Sequence, residues 1–128
     1  MTTYADYDLH LHSQWSYDAT AAISDYFRLG RERRVRALAL TDHHLMDGYE
    51  ELAGVAAEYP EVGYVAGAEL TVHTPTGSID MVCLGLPKQP TPELAGVFDQ
   101  YRAWQCAYGS AISANLVRMG HNFTDAER

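Results

Sequence analysis

The sequence predicts an α/β fold assembled from parallel βαβ units, and three observations predict it. Short apolar runs alternate along the chain with segments of helical period. Each of the first three apolar runs ends in histidine or carboxylate. Finally, turn-forming residues, many of them Gly or Pro, punctuate the segments. Units of this kind gather ligand sites at the C-terminal ends of their strands, and that is where the polar motifs of this chain fall.

Tyr7 to Leu11 alternates weakly and ends in histidines, and Val35 to Leu40 is a compact apolar run; both read as short buried strands. Between them a helix is expected over Ala22 to Arg34. Ile23, Tyr26, Phe27 and Gly30 share one face of it, while Arg28, Arg31, Glu32 and Arg34 point outward. A second helix fits Leu45 to Glu58, with Leu45, Tyr49, Leu52, Val55 and Ala56 on one side and Pro60 closing it. Val62 to Ala66 is a third strand. After Glu69 come Leu-Thr-Val, a turn at His-Thr-Pro-Thr-Gly and a fourth strand over Ser78 to Leu86, with Ile79, Met81, Cys83 and Leu84 expected against apolar surroundings. Lys88 to Pro92 links to a long helix from Glu93 to Met119, closed by Gly120 as a C-cap. Residues 1–90 and 91–128 are therefore the two expected parts.

The 128 residues, 47% apolar and 11% aromatic, fit one core. A formal charge of −8 and a pI near 5.0 exclude a surface that grips nucleic acid non-specifically, which needs a basic footprint. Carboxylates gathered around divalent cations account for part of the acidic excess as well as ordinary solvated surface does. The first residues show no basic segment followed by an apolar run, and no stretch approaches the length of a membrane span, so a cytoplasmic protein is expected. Cys83 and Cys106 read as buried, structural thiols.

His10 and His12 occupy alternate positions at the end of the first strand, so their imidazoles project from one face and can meet one cation. Alone, His-x-His is as readily structural. The second strand repeats the pattern with Thr41-Asp42-His43-His44, and the third ends in Gly67-Ala68-Glu69, where small residues permit close backbone approach and Glu69 offers two oxygens. Ligand-type residues at the ends of three successive apolar strands point to a metal centre, and paired metals suit phosphoryl displacement by activated water.

The motifs DLHLHS at 8–13, TDHH at 41–44 and GAELT at 67–71 resemble, in order and spacing, the first three motifs of the PHP family, named for polymerase and histidinol phosphatase. The likeness covers roughly residues 6 to 86. Arg102 to Glu127 resembles the start of a helical insertion found in the family's small phosphoesterase branch. The resemblance implies a distorted (β/α)7 barrel, of which this chain holds about the first four strands, with up to three metal ions, commonly manganese, zinc or iron. It implies that His10, His12 and Glu69 form the first metal site, that Glu69 bridges to the second, and that His43 serves the third with Asp18. Asp42 is expected to orient a ligand rather than bind metal.

Two positions depart from the family pattern. Asp80 stands where a histidine is usual, and it is either an oxygen ligand or a polar strand residue. His44 stands where many members have aspartate, and ligand, substrate contact and structural roles all stay open. The family's later motifs, a glycine-rich segment with a histidine and a final Asp-x-His, lie beyond Arg128, so the chain is expected to be a truncated piece that is weakly active or inactive alone.

Several residues read as bystanders. His73 and His121 are expected to be solvated, and Glu93, Asp99, Asp125 and Glu127 to be surface charges. Trp15 and Tyr17 either pack over a substrate ring or cover the barrel mouth, with packing the simpler reading. Arg28, Arg31, Arg33 and Arg34 read as a solvated helix face. The resulting expectation is a metal-dependent phosphoesterase acting on a phosphomonoester or small nucleotide phosphate, with His10, His12, His43 and Glu69 as the catalytic core and no membrane partner. The alternative is a non-catalytic metal-binding scaffold whose open sheet edges make a homo-oligomer.

Overall fold

The computed structural model describes residues 5–121. Its elements run β1 (Tyr7–Leu11), α1 (Ile23–Arg33), β2 (Ala37–Leu40), α2 (Tyr49–Glu58), β3 (Gly63–Thr74), β4 (Gly77–Leu84) and α3 (Pro92–Arg118). The chain divides into two compact units, Met1–Pro92 and Glu93–Arg128. The first holds a sheet of order β1-β2-β3-β4.

Strands β1, β2 and β3 pair in parallel, in steps of one βα crossover, as the alternation of strand and helix requires. The fourth strand departs from that rule. β3 runs on without a break through Glu69 to Thr74 and then folds back on β4 in an antiparallel ladder, Glu69 opposite Val82 and Thr74 opposite Gly77. Only Pro75 and Thr76 lie between the paired ends, and a connection that short can join only antiparallel strands. Gly77 sits at φ 139°, a conformation that suits glycine.

α1 and α2 contact each other and cover the sheet. Ile23 and Phe27, both at 0% exposure, join Leu38, Leu40, Leu52, Ala56 and Val62 in one core. Complete burial contributes about 1.5–3 kcal/mol for each large apolar side chain. Gly30, one turn on from Phe27, faces Leu38 of β2 and Val62 just before β3; a Cβ there would stand 3.5 Å and 3.4 Å from them, ordinary van der Waals contact. The outward face carries ion pairs from Arg28 to Asp25 and Glu32.

The starts of β2 and α2 and the burial of β1 differ from expectation. Val35 is drawn into the α1 cap, where Arg34 turns left-handed at φ 60° and Val35 N–H reaches Gly30 O, so β2 starts two residues late. Leu45 and Met46 are irregular and line a small cavity with Leu40, Leu52 and Ala66, a turn follows at Asp47–Gly48, and α2 begins only at Tyr49. β1 is largely exposed rather than buried, with Tyr7 49% and Leu9 37% accessible, because it is an edge strand.

The opposite edge needs the same correction. Ile79, Met81 and Leu84 on β4 are exposed, and Cys83 is only half-buried, since no further strand of this unit pairs with β4. In the second unit α3 ends as expected, with Gly120 at φ 87° and the His121 N–H returning to Leu116 O. Cys106 is exposed there, not buried, so neither thiol is a core residue. Among the described residues no helix is long and apolar enough to cross a membrane.

Candidate metal centre

The C-terminal ends of β1 and β2 converge with the middle of β3, just past where its parallel pairing with β2 stops, on one group of side chains. Alternation along β1 sets His10 and His12 on the same face, and their Nε2 atoms lie 3.2 Å apart. Beyond β2 the chain stays in register with its neighbours: Thr41 N–H donates to Leu11 O, Glu69 N–H to Asp42 O, and His44 N–H to Glu69 O. His43 thereby pairs with Glu69 in a parallel bridge.

Glu69 Oε2 is the hub. It lies 2.9 Å from His12 Nε2, 3.1 Å from His10 Nε2 and 3.6 Å from His43 Nε2. The Glu69 side chain is only 8% exposed, so water does little to disperse its charge. Gly67 is what allows the approach. A Cβ at this position would stand 2.7 Å from the backbone oxygen of Cys83 and 3.0 Å from Thr41 Cγ2, so only glycine fits there without displacement.

Proton counting tests whether these residues fit a cation. His12 turns Nδ1 to Asp18, 3.1 Å from each carboxylate oxygen, which assigns the proton of a neutral ring to Nδ1. Its Nε2 then presents a lone pair to Glu69 Oε2 and His10 Nε2. Lone pairs converging at about 3 Å repel unless a proton or a cation lies between them. Two ligands each about 2.1 Å from a common ion lie about 3.0–3.4 Å apart, which is the spacing seen here. The donor set of two imidazoles and a carboxylate therefore fits a divalent ion, and His12, Asp18 and His43 form a second such group.

Surrounding contacts fix the ligands. Burial pushes the Asp18 carboxyl up, but hydrogen bonds from Ser16 and His12 and the nearby charges of His12 and His43 outweigh it and bring it down to about 2. Burial lowers the pKa of His44, helped by His43 and opposed by Asp80 and Glu69. Tyr26 donates its hydroxyl to His12 O at 2.7 Å, and burial, with Asp42 and Asp8, pushes its phenol up. Tyr17 stacks on His43, ring centroids 5.0 Å apart and planes 25° apart.

The expected site residues thus divide. His10, His12, His43, Glu69 and Asp18 come together; Asp80 joins neither group and accepts the Thr71 hydroxyl at 2.8 Å. Asp42 accepts Ser13 N–H and Oγ–H, and His44 Nε2 accepts Thr71 N–H. His73 is exposed but bonds Ser78, while His121 is exposed in the second unit. Of the two loop aromatics, Trp15 packs over Gly48 and donates to Glu51, and only Tyr17 flanks the cluster. Asp125 and Glu127 lie outside the described residues.

Sequence reasoning missed Ser13, Ser16 and the Tyr26 hydroxyl. The two serines are buried, at 0% and 4% exposure, within the loop that leaves β1. Both are positions of the HSxxSxD spacing at residues 12–18 that singles out Asp18, but that spacing does not say what they bind.

The PHP domain family matches residues 8–125 of the chain. No curated protein sequence matches it significantly. Among solved structures, an amidohydrolase from Chromobacterium violaceum, determined with bound sulfate and no metal, aligns with a TM-score of 0.77 and 28% identity over 91% of this chain and 40% of that one. A candidate metal-dependent phosphoesterase from Bifidobacterium adolescentis aligns with a TM-score of 0.78 and 20% identity over 88% of this chain and 38% of that one. The fold is therefore a partial (β/α) barrel, and the chain spans about two fifths of the length of the solved structures it matches.

Proposed function

We propose, from the premise that this chain belongs to the PHP domain family, that it supplies part of the active site of a metal-dependent phosphoesterase. The observation that carries the reading is the meeting of His10 Nε2, His12 Nε2 and Glu69 Oε2 within 2.9–3.2 Å of one another, with the His12 proton already committed to Asp18. A divalent ion, manganese, zinc or iron, supplies two things when bound: it polarises a phosphoryl oxygen and lowers the pKa of a water.

The chain's own residues have distinct parts in this proposal. His10, His12 and Glu69 would hold the first ion; Glu69 also reaches toward His43, which with Asp18 would hold another. Asp18 sets the His12 tautomer, so that ring offers Nε2 and not Nδ1 to the first ion. Tyr17 shields one face of His43. The substrate class that fits is a phosphomonoester or small nucleotide phosphate, whose charge bound divalent ions would neutralise in an otherwise acidic protein. The expected compartment is the cytoplasm.

Elemental analysis of the purified chain beside the double variant His10→Ala, His12→Ala tests the centre. About one or more metals per chain, lost in the variant, supports it; two folded but metal-free proteins overturn it. Hydrolysis of a simple phosphomonoester by the metal-loaded chain then tests the reaction.

A second reading is favoured by the two open edges. β1 and β4 both end the sheet with exposed apolar side chains, which suits a metal-binding scaffold that pairs with another copy. An obligate oligomer that binds metal without turnover supports that reading, and a monomer with turnover supports the enzyme.

A further inference from the structure

His43 is flanked by two residues that reach in opposite directions. Asp42, 5% exposed, takes the Ser13 N–H at 2.6 Å and the Ser13 Oγ–H at 2.7 Å, one residue beyond His12. His44, 6% exposed, accepts the Thr71 N–H at Nε2, 2.9 Å away and two residues beyond Glu69. One arm ends on the chain that carries His12 and the other on the strand that carries Glu69.

The need for such arms follows from where β2 stops. It ends at Leu40, three residues before His43, while β3 continues to Thr74. Past the strand end, the isolated His43–Glu69 bridge and its backbone bonds take the place of a continuous ladder between the segment and β3. At His44 the backbone turns left-handed, φ 52°, a region histidine enters more readily than most residues. There the His44 imidazole takes the place of a strand carbonyl for Thr71. Buried polar groups of this kind are costly unless satisfied, so both contacts resist displacement.

We infer that Asp42 and His44 are positioning residues that staple the His43 segment to the loop after β1 and to β3 and so fix where His12, His43 and Glu69 meet. The inference rests on the metal-centre reading above. A ligand group must be held to within about 0.5 Å of its productive geometry, and side chains that orient ligands change metal affinity about 10–100-fold when removed. Neither residue touches the ion in this account.

The test is a cobalt(II) titration of the full chain followed by absorbance, on the wild type, His44→Ala, His44→Gln and Ser13→Ala, with circular dichroism as the check on folding. Glutamine sets an amide oxygen where His44 holds Nε2, so it keeps the acceptor while losing the ring. The expected result is about 10–100-fold weaker binding in His44→Ala with an altered ligand-field band, recovery of most of the affinity in His44→Gln, and weaker binding in Ser13→Ala. Wild-type affinity in a folded His44→Ala overturns the inference, as does a glutamine variant no better than alanine. If His44→Ala does not fold, unchanged affinity in Ser13→Ala overturns it. A wild-type chain that binds no cobalt overturns the metal-centre reading itself, and this inference with it.

Discussion

Asp18 holds His12 by its Nδ1, with both carboxylate oxygens 3.1 Å from that nitrogen. The contact decides which lone pair His12 offers, because a ring that donates from Nδ1 must accept or ligate through Nε2. Asp18→Ala is therefore expected to weaken cobalt or zinc binding at His10, His12 and Glu69 about 10–100-fold. Asp18→Asn, whose amide oxygen still accepts the Nδ1 proton, should lose less. Equal losses in the two variants, measured by competition against a chelator, would show that the carboxylate charge and not the ring orientation matters.

Gly67 sits two residues before Glu69 at a point where three backbone segments crowd together. A methyl group there would meet Cys83 O at 2.7 Å and Leu40 O at 3.3 Å, and backbone atoms in a paired sheet have no rotamer by which to yield. Gly67→Ala is expected to cost about 1–3 kcal/mol in urea unfolding, the range for overpacking. It should also weaken metal binding, since β3 must shift and Glu69 with it. An unchanged urea midpoint would sink the argument.

Tyr49 and Tyr64 share a hydrogen bond of 3.3 Å between their hydroxyls, and this contact, then burial, pushes the Tyr49 phenol up to about 12. The sign follows from which form is favoured. The folded chain prefers the neutral phenol, so the contribution to stability is complete below about pH 10, the unfolded value, and is lost as pH rises toward 12. Phenolate absorbance should show Tyr49 among the late-ionising tyrosines of the wild type, beside the half-buried Tyr26. In Tyr64→Phe, Tyr49 should ionise earlier, and the alkaline loss of stability should shrink.

The sequence carried the ligand cluster because histidine and glutamate are poor company for apolar strands. His10, His12, His43 and Glu69 stand out where apolar runs stop, and the helices announced themselves through Ile23, Phe27 and Leu52 on single faces. What stayed hidden depends on register and on the third dimension. The Ser13 to Asp42 bonds exist only because β1 and β2 pair as they do, 29 residues apart in sequence. Tyr17 stacking on His43 depends on a loop conformation that has no periodicity to reveal it. The reversal at Pro75–Thr76 was legible as a turn, but its consequence, an antiparallel edge strand with exposed Ile79 and Met81, was not, because apolar alternation alone suggests a covered face.

Asp80 offers the sharpest discrimination between resemblance and geometry. Its position is one the family usually gives to a histidine ligand, yet here its Oδ1 is 2.8 Å from the Thr71 hydroxyl, and it belongs to neither group of converging ligand atoms. In the ladder it lies opposite Thr71, two residues along β3 from Glu69, or about 6.8 Å at ordinary strand rise. An ion held by His10, His12 and Glu69 at about 2.1 Å from each is thus served without it. Asp80→Ala is expected to leave the first metal's affinity unchanged and to cost little stability, since the Thr71 hydroxyl is exposed and water replaces the carboxylate. Asp80→His, by contrast, restores the family's usual donor and is expected to add one bound metal to the number held by the unsubstituted chain without altering the first. A calorimetric titration with zinc counts the sites in all three proteins. A drop of tenfold or more in the first site of Asp80→Ala would place this carboxylate among the ligands after all, drawn in when the ion binds.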